Sequence, residues 1–339
     1  MTFTKGSEVE FAGLSLVLRS VVTSRQAIPL RDWLFEFEHP LVYIPAAQQA
    51  GVTKVIVSLQ SPEFYSGLMQ AVCLRISQNK LVKWQGKVYE VSGVEVDSSS
   101  LHVLQIPLYA TAQLPNTLGR AIHAQFFHWV ATANPGLAQE LHQQENFPTT
   151  LVLKPGESRY QKFLRVGLLQ KSLLAPFLWG LSQDVGGDIT LTDVPCRLGE
   201  QVAILQASSY ESLAELEAQK AITLEFLSPT SFKQGQAVQP FPLPDLVFNN
   251  LLRRWNAFAP SELQFPSFEW KGMTSAYELK THALKMKGGA EIGATGWVRY
   301  EFHEEEQAKV ATVLAHFALF SGVGRKTAMG MGQVRIANW

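Results

Sequence analysis

Apolar residues along this chain recur with two periods, and the switches between them mark out elements. Residues 54–59 alternate as a strand does, 63–77 carry helical spacing, and 81–96 read as a hairpin turned at Gln85-Gly86. The polar run Asp97-Ser98-Ser99-Ser100 then reads as a linker. Beyond it, 101–110 is an apolar strand. Asn116 is placed to cap a helix on which Leu118, Ile122, Phe126, Trp129 and Ala133 share one face. Asn134-Pro135 starts a second helix, with Asn as the cap and Pro where a missing N–H costs nothing; it carries Leu137 and Leu141 and ends near His142. Strands at 149–153 and 163–168, an apolar helix at 173–181 and a strand around 202–206 follow.

The C-terminal part repeats this order. A strand at 221–227 precedes a helix capped by Asp245 that carries Phe248, Leu251, Leu252, Trp255 and Phe258. Strands at 277–286 and 291–302 form a hairpin turned by Lys287-Gly288-Gly289. A helix at 304–320 with Val310, Val313, Leu314 and Phe317 on one side leads to a last strand at 332–336. Two β-α-β-β-α-β units in tandem predict an α+β fold of paired ferredoxin-like (RRM-like) domains. A small α/β module precedes them. The expected division is 1–99 for that module, of unassigned role, 100–215 for the first ferredoxin-like domain and 216–339 for the second.

Composition narrows the class. Of 339 residues, 46% are hydrophobic and 17% charged, enough apolar surface for real cores. Lys+Arg and Asp+Glu both number 29, which excludes a globally basic nucleic-acid coat. The charge is uneven beneath that balance. Residues 154–171 carry five basic side chains against one acid, and 321–339 carry Arg325, Lys326 and Arg335 with no acid. Cys73 and Cys196 stand alone, without CxxC or a Cys/His cluster, so neither a disulfide scaffold nor a metal site is expected. The longest apolar runs are about half a membrane span, which points to a cytoplasmic protein with no membrane partner.

The most specific feature is the run from Gly322 to Gln333, with glycines at 322, 324, 330 and 332 between a helix and the last strand. Glycine permits positive φ and close approach of a ligand, and successive N–H groups in such a loop can form an anion-binding concavity. Arg325 and Lys326 add charge suited to phosphate. A helix C-cap followed by a bulge would use the same glycines. The run is not a P-loop, because no Gly-Lys-Ser/Thr opens a following helix, and no helix follows to make it a dinucleotide fingerprint.

This loop, read from Phe317 through Gly332, resembles the C-terminal glycine-rich loop of the CRISPR RNA-processing endoribonucleases, the sixth-numbered CRISPR-associated family of the RAMP superfamily. Three further segments are similar to that family: 118–127 to its first helix, 226–232 to the strand opening its second domain, and 251–258, with Arg254, to the helix after it. The resemblance covers about 101–339 and leaves 1–99 aside. It implies cleavage of CRISPR repeat RNA without metal or other cofactor, and a crRNA hairpin as partner. It also raises retention in a Cascade-like or type III effector complex. The loop residues Gly322, Gly324, Arg325, Lys326, Thr327, Gly330 and Gly332, with Arg254, become candidate RNA contacts.

The chemistry of such a cut is simple to state. The 2′-OH of RNA lies beside its own 3′-phosphate, so the substrate supplies proximity. The protein must align the backbone, deprotonate the 2′-OH, protonate the 5′-oxygen and stabilise the phosphate. Products are a 2′,3′-cyclic phosphate and a 5′-OH. Histidine suits the proton steps near neutral pH. His142 matches the place of the catalytic histidine in several family members, although a histidine at a helix C-terminus is also common for electrostatic reasons alone. His123 lies three residues after Arg120 on the same helix face. His128 points elsewhere. Some members carry a tyrosine about fifteen residues before the histidine and a lysine just after it; here the positions hold Phe127 and no lysine before Lys154.

The expected site is therefore His142 and His123 as base and acid, in either order, with Arg120 or Lys154 on the phosphate. Arg159, Lys162 and Arg165, and Lys280, Lys285 and Lys287 on the hairpin, are candidates to follow the RNA backbone. A catalytically inactive repeat-binding RAMP subunit is one alternative. A ferredoxin-like scaffold or small-ligand sensor, which the zero net charge suits, is another.

Overall fold

The computed structural model describes residues 11–46, 52–115, 118–286 and 289–337. Among the described residues, three larger antiparallel-dominated sheets follow one another along the chain, each over its own apolar cluster, beside one two-stranded sheet. The first is built from β1 (Gly13–Ser20), β2 (Ile28–Pro29), β3 (Val42–Pro45), β4 (Thr53–Ser58), β5 (Leu81–Trp84) and β6 (Lys87–Asp97), in the order β2-β5-β6-β1-β4-β3. Helix α1 (Tyr65–Ser77) buries Tyr65, Leu68 and Val72 against it. The β5–β6 turn uses Gln85 and Gly86 at φ 45° and 79°, the pairing a two-residue hairpin needs.

The next unit runs β7 (Leu101–Ala110), α2 (Gly119–Ala133), α3 (Pro135–Gln143), β8 (Thr149–Pro155), β9 (Gln161–Leu168), α4 (Leu174–Leu181), β10 (Asp188–Leu191), β11 (Val194–Leu198) and β12 (Ala203–Ser208). Strand β7 lies between β9 on one side and β11 and β12 on the other, with β8 beyond β9. This is the ferredoxin-like order with its fourth strand interrupted by the β10–β11 hairpin. The last unit has α5 (Tyr210–Ala214), β13 (Ala221–Thr230), a small β14–β15 hairpin (Phe232–Gln234, Ala237–Gln239), α6 (Pro244–Phe258), β16 (Met273–Met286), β17 (Gly289–Glu301), α7 (Glu305–Ser321) and β18 (Val334–Ile336). Its sheet order, β16-β17-β13-β18, is the same topology again. The fold is thus α+β, tandem ferredoxin-like, with an added N-terminal sheet.

Packing explains which helices lost their polar face. Every residue of α4 but Trp179 is buried, because the first sheet covers its outer side: Ser58 Oγ donates to the Ala175 carbonyl at 3.2 Å and Ala175 joins the first sheet's core. Helix α7 is buried on nearly all sides, and β8 and β9 cross its end: Thr150 Oγ1 of β8 donates to the Phe320 carbonyl at 3.1 Å, and Gly167 of β9 lies against that same carbonyl. The Asp97–Ser100 run is not a loose linker. Asp97 accepts from the buried His102 at 2.7 Å and from the Ser99 N–H at 2.8 Å, and Ser100 N–H donates to Ser208. Burial alone would raise the Asp97 pKa, but the hydrogen bond and charge of His102 together with the hydrogen bonds from Ser99 hold the carboxyl low.

Helix starts were legible in part. Asn134 caps α3 with its side chain accepting from Leu137 N–H at 3.0 Å, a bond worth about 1 kcal/mol. Asp245, expected as a cap, instead sits inside the first turn of α6, because Pro244 takes the first helical position and Leu243 precedes it. Asn116 and the Lys287-Gly288 turn lie outside the described residues. Among the described residues no helix is long and apolar enough to cross a membrane.

Candidate active site

The glycine-rich segment leaves α7 at Gly322 and returns to β18 through one 3-10 turn, Thr327–Met329. All its glycines hold positive φ: Gly322 at 63°, Gly324 at 83°, Gly330 at 93° and Gly332 at 73°. At Gly324 the requirement is double, since a Cβ there would lie 2.5 Å from the Ser231 carbonyl oxygen. The loop spends most of its N–H groups on itself and its neighbours. Val323 donates to Gly332, Arg325 to Ser231, Met331 to Lys326 and Gly332 to Pro229, while Gly324 donates to Asn250 Oδ1 at 2.7 Å. Its crest, with Lys326, Met329 and Gly330, faces the cleft beside it.

That cleft, of about 720 Å³, lies between the two ferredoxin-like units. Its walls carry Arg120 from α2, Arg159 from the β8–β9 turn, Lys162 from the start of β9, and Lys326 from the loop, among apolar side chains that include Leu118, Leu153, Met329 and Leu284. Arg159 donates to Gln113 and lies over the Tyr160 ring. Among the described residues no carboxylate pairs with Arg120, Arg159 or Lys162, so this wall is a site of uncompensated positive charge. Helix α2 meets the loop directly: Gly119 rests against the Met329 carbonyl, where a Cβ would collide with backbone.

One turn further along α2 stands His123. Its ring is 6.4 Å from that of His142, at the end of α3, so the turn between α2 and α3 brings both candidate histidines together. His142 is exposed and lies flat on the buried Phe127 ring, 3.6 Å between centroids and 16° between planes. His123 is half-buried between Phe127 and Phe147, at 4.8 and 5.3 Å. Burial first, and then the nearby charge of His142, lower the His123 pKa, so its neutral form prevails at neutral pH. The pair stands beside the cleft wall that Arg120 lines, not on the floor of the cleft.

Other candidates are placed elsewhere. On β8, Leu151 and Leu153 face the helices, so Lys154 points to the opposite face of the sheet. There burial, Arg165 and Arg335 lower its pKa, and it does not join the histidines. Arg165 shares that face and donates to the Leu319 carbonyl at 3.3 Å, near the C-terminal end of α7, which makes it a strut between the units. Arg254 is buried and cannot reach a ligand in the cleft. Its guanidinium donates to Thr327 Oγ1 at 2.6 Å and to the Phe147 carbonyl at 3.3 Å, and burial pulls its pKa down to about 10. Thr327 is buried beneath the loop as the acceptor of that bond. Gly322, Gly324 and Gly332 shape the loop from within, and Gly330 alone of the four opens to the cleft. Lys280 is exposed on β16, far along the hairpin from its turn.

A residue that sequence reasoning missed is Glu291 on β17. Its carboxylate takes both Arg325, at 3.4 Å, and Lys326. The two loop cations thus share one counter-charge, and no spacing along the chain signalled it. Among the described residues no cluster of His, Cys, Asp and Glu is arranged to hold a metal ion.

Comparison with known proteins places these features. Residues 224–334 match the family described as CRISPR-associated endoribonuclease Cas6. A curated protein of that name from Mycobacterium tuberculosis is 30% identical over 118 residues, 33% of this chain and 38% of the relative. Another from Streptococcus thermophilus is 23% identical over 159 residues, 44% of this chain and 65% of the relative. The chain therefore aligns with under two thirds of the length of either. Among solved structures, a Cas6 product complex superposes with a TM-score of 0.63 at 28% identity, over 70% of this chain and all of that one. A Thermus thermophilus Cas6 superposes at 0.55 and 28% identity, over 70% of this chain and 99% of the other.

Proposed function

We propose that this chain is a Cas6-type protein, a metal-independent endoribonuclease that cuts CRISPR repeat RNA into crRNA units by 2′-OH attack. The observation that carries the proposal is the His123–His142 pair, set one helical turn from where α2 meets the glycine-rich loop. The solved relatives include a product complex and a substrate-mimic complex of Cas6. In this reading the cleft wall of Arg120, Arg159 and Lys162 follows the RNA backbone, and Arg120 lies nearest the histidines along α2.

The proton steps divide by environment. His123, kept neutral by burial and by His142, takes the proton from the 2′-OH. The 2′-oxygen then attacks phosphorus, the P–O5′ bond breaks, and His142, exposed and able to reach the leaving group, protonates the 5′-oxygen. Arg120 stabilises charge on the phosphoryl oxygens. Phe127, at the tyrosine position of other members, has no proton to move and orients the His142 ring instead.

The test is incubation of the repeat RNA with wild type, His123→Ala and His142→Ala in EDTA, with analysis of the product ends. Cyclic phosphate and 5′-OH ends from wild type, with cleavage lost in both variants while binding persists, support the proposal. Binding without cleavage by wild type would favour the inactive repeat-binding subunit. Retention of the product in a larger effector complex is a further part of the proposal, tested by co-purification with crRNA.

A further inference from the structure

The buried Arg254 needs an explanation that packing does not give. Taking a guanidinium out of water is costly unless it is well paired, and an apolar side chain would fill the same space at less cost. Among the described residues no carboxylate lies within ion-pair distance of it. Its hydrogen-bond partners are neutral: Thr327 Oγ1 in the glycine-rich loop at 2.6 Å and the Phe147 carbonyl at 3.3 Å. These belong to different ferredoxin-like units, and the planar fork of arginine can hold two acceptors in one register as lysine cannot.

What Phe147 touches gives that grip a direction. Its ring packs 5.3 Å from His123 and 5.4 Å from Phe127, and Phe127 stacks on His142 at 3.6 Å. We propose that Arg254 is a positioning residue that locks the glycine-rich loop to the Phe147 backbone and, through Phe147 and Phe127, sets His123 and His142 relative to the RNA-binding crest. The proposal rests on the endoribonuclease reading of the same site. It makes Arg254 a determinant of rate and not of RNA contact.

Thr327 provides the discriminating variants. Thr327→Val removes the acceptor and keeps the methyl group that packs on Gly322 and Gly332; Thr327→Ser keeps the acceptor and removes that methyl. Affinity is read with repeat RNA carrying a 2′-deoxy at the scissile nucleotide, rate by single-turnover cleavage, and ring placement by the NMR signals of labelled His123 and His142. The expected result for Thr327→Val is affinity within about threefold of wild type, a rate at least about tenfold lower, and shifted histidine signals. Thr327→Ser restores most of the rate and the signals, and Arg254→Lys, which keeps charge but not the fork, behaves as Thr327→Val does. An unchanged rate in Thr327→Val, or equal losses in the Val and Ser variants, would overturn the proposal in favour of simple packing. If wild type proves unable to cut, the histidine signals still decide: a shift in Val but not Ser upholds the coupling while the endoribonuclease reading fails, and no shift in either removes the coupling.

Discussion

The imidazole of His142 lies face to face with the ring of Phe127, 3.6 Å apart and 16° from parallel. An exposed histidine at a helix end would otherwise be free to turn, and this contact fixes the plane in which its nitrogens point. In the proposed reaction, a residue that cannot carry a proton thereby still serves the proton transfer.

Phe127→Leu keeps an apolar side chain in the core and removes the stack. Such ring contacts are worth about 0.5–1.5 kcal/mol, so single-turnover cleavage should fall roughly two- to thirteenfold. Affinity for repeat RNA should stay constant. An equal loss of affinity would assign Phe127 to binding.

Glu291 pairs with Arg325 and Lys326, two cations that the proposed function places beside phosphate. Glu291→Gln should tighten repeat-RNA binding. It should also steepen the dependence of log affinity on log salt by roughly one phosphate contact. Equilibrium titrations at several salt concentrations check both. An unchanged slope would mean that Arg325 and Lys326 do not meet the RNA.

The loop glycines should not be equivalent. Gly324→Ala combines a positive φ with collision against the Ser231 carbonyl, and should cost roughly 3 kcal/mol or more. Gly330→Ala meets open space and carries only the left-handed strain, about 1–2 kcal/mol. Thermal unfolding of the two variants gives the comparison.

Titration follows from the lowered His123 pKa, caused first by burial and then by His142. As the base, His123 must be neutral, so the rate should fall on acidification with a midpoint below the ordinary imidazole value of about 6.5. Folding stability has the same sense. It is fully present above the unfolded pKa and is lost as pH falls through the depressed folded value. In His142→Asn the His123 midpoint, followed by NMR, should rise part of the way back, since burial remains.

Much of the fold could be read from the chain because each element carried its own signal. Asn134 and Pro135 announced α3, and the unbroken apolar run of α4 announced burial on both sides. The β10–β11 hairpin gave no such notice, since its turn places Thr192 and Asp193 at positive φ, where glycine or asparagine would have flagged it. The candidate site was legible in its histidines and glycines, whose residue types are tied to their chemistry. Arg254, Lys154, Arg165 and Glu291 were not legible, because a cation's role depends on which face of a strand or helix it takes and on partners far away in sequence. Arg254 meets Thr327 across 73 positions, and Glu291 meets Lys326 across 35.

The most direct test of the central claim is a single 2′-deoxy substitution at the scissile nucleotide of the repeat RNA. The substrate's own hydroxyl is the nucleophile in this account, so wild type should bind the deoxy RNA as tightly as the natural repeat and leave it uncut while cleaving the natural repeat. Cleavage of the deoxy substrate at the same phosphate would contradict it, and would require a nucleophile that the His123–His142 chemistry does not provide.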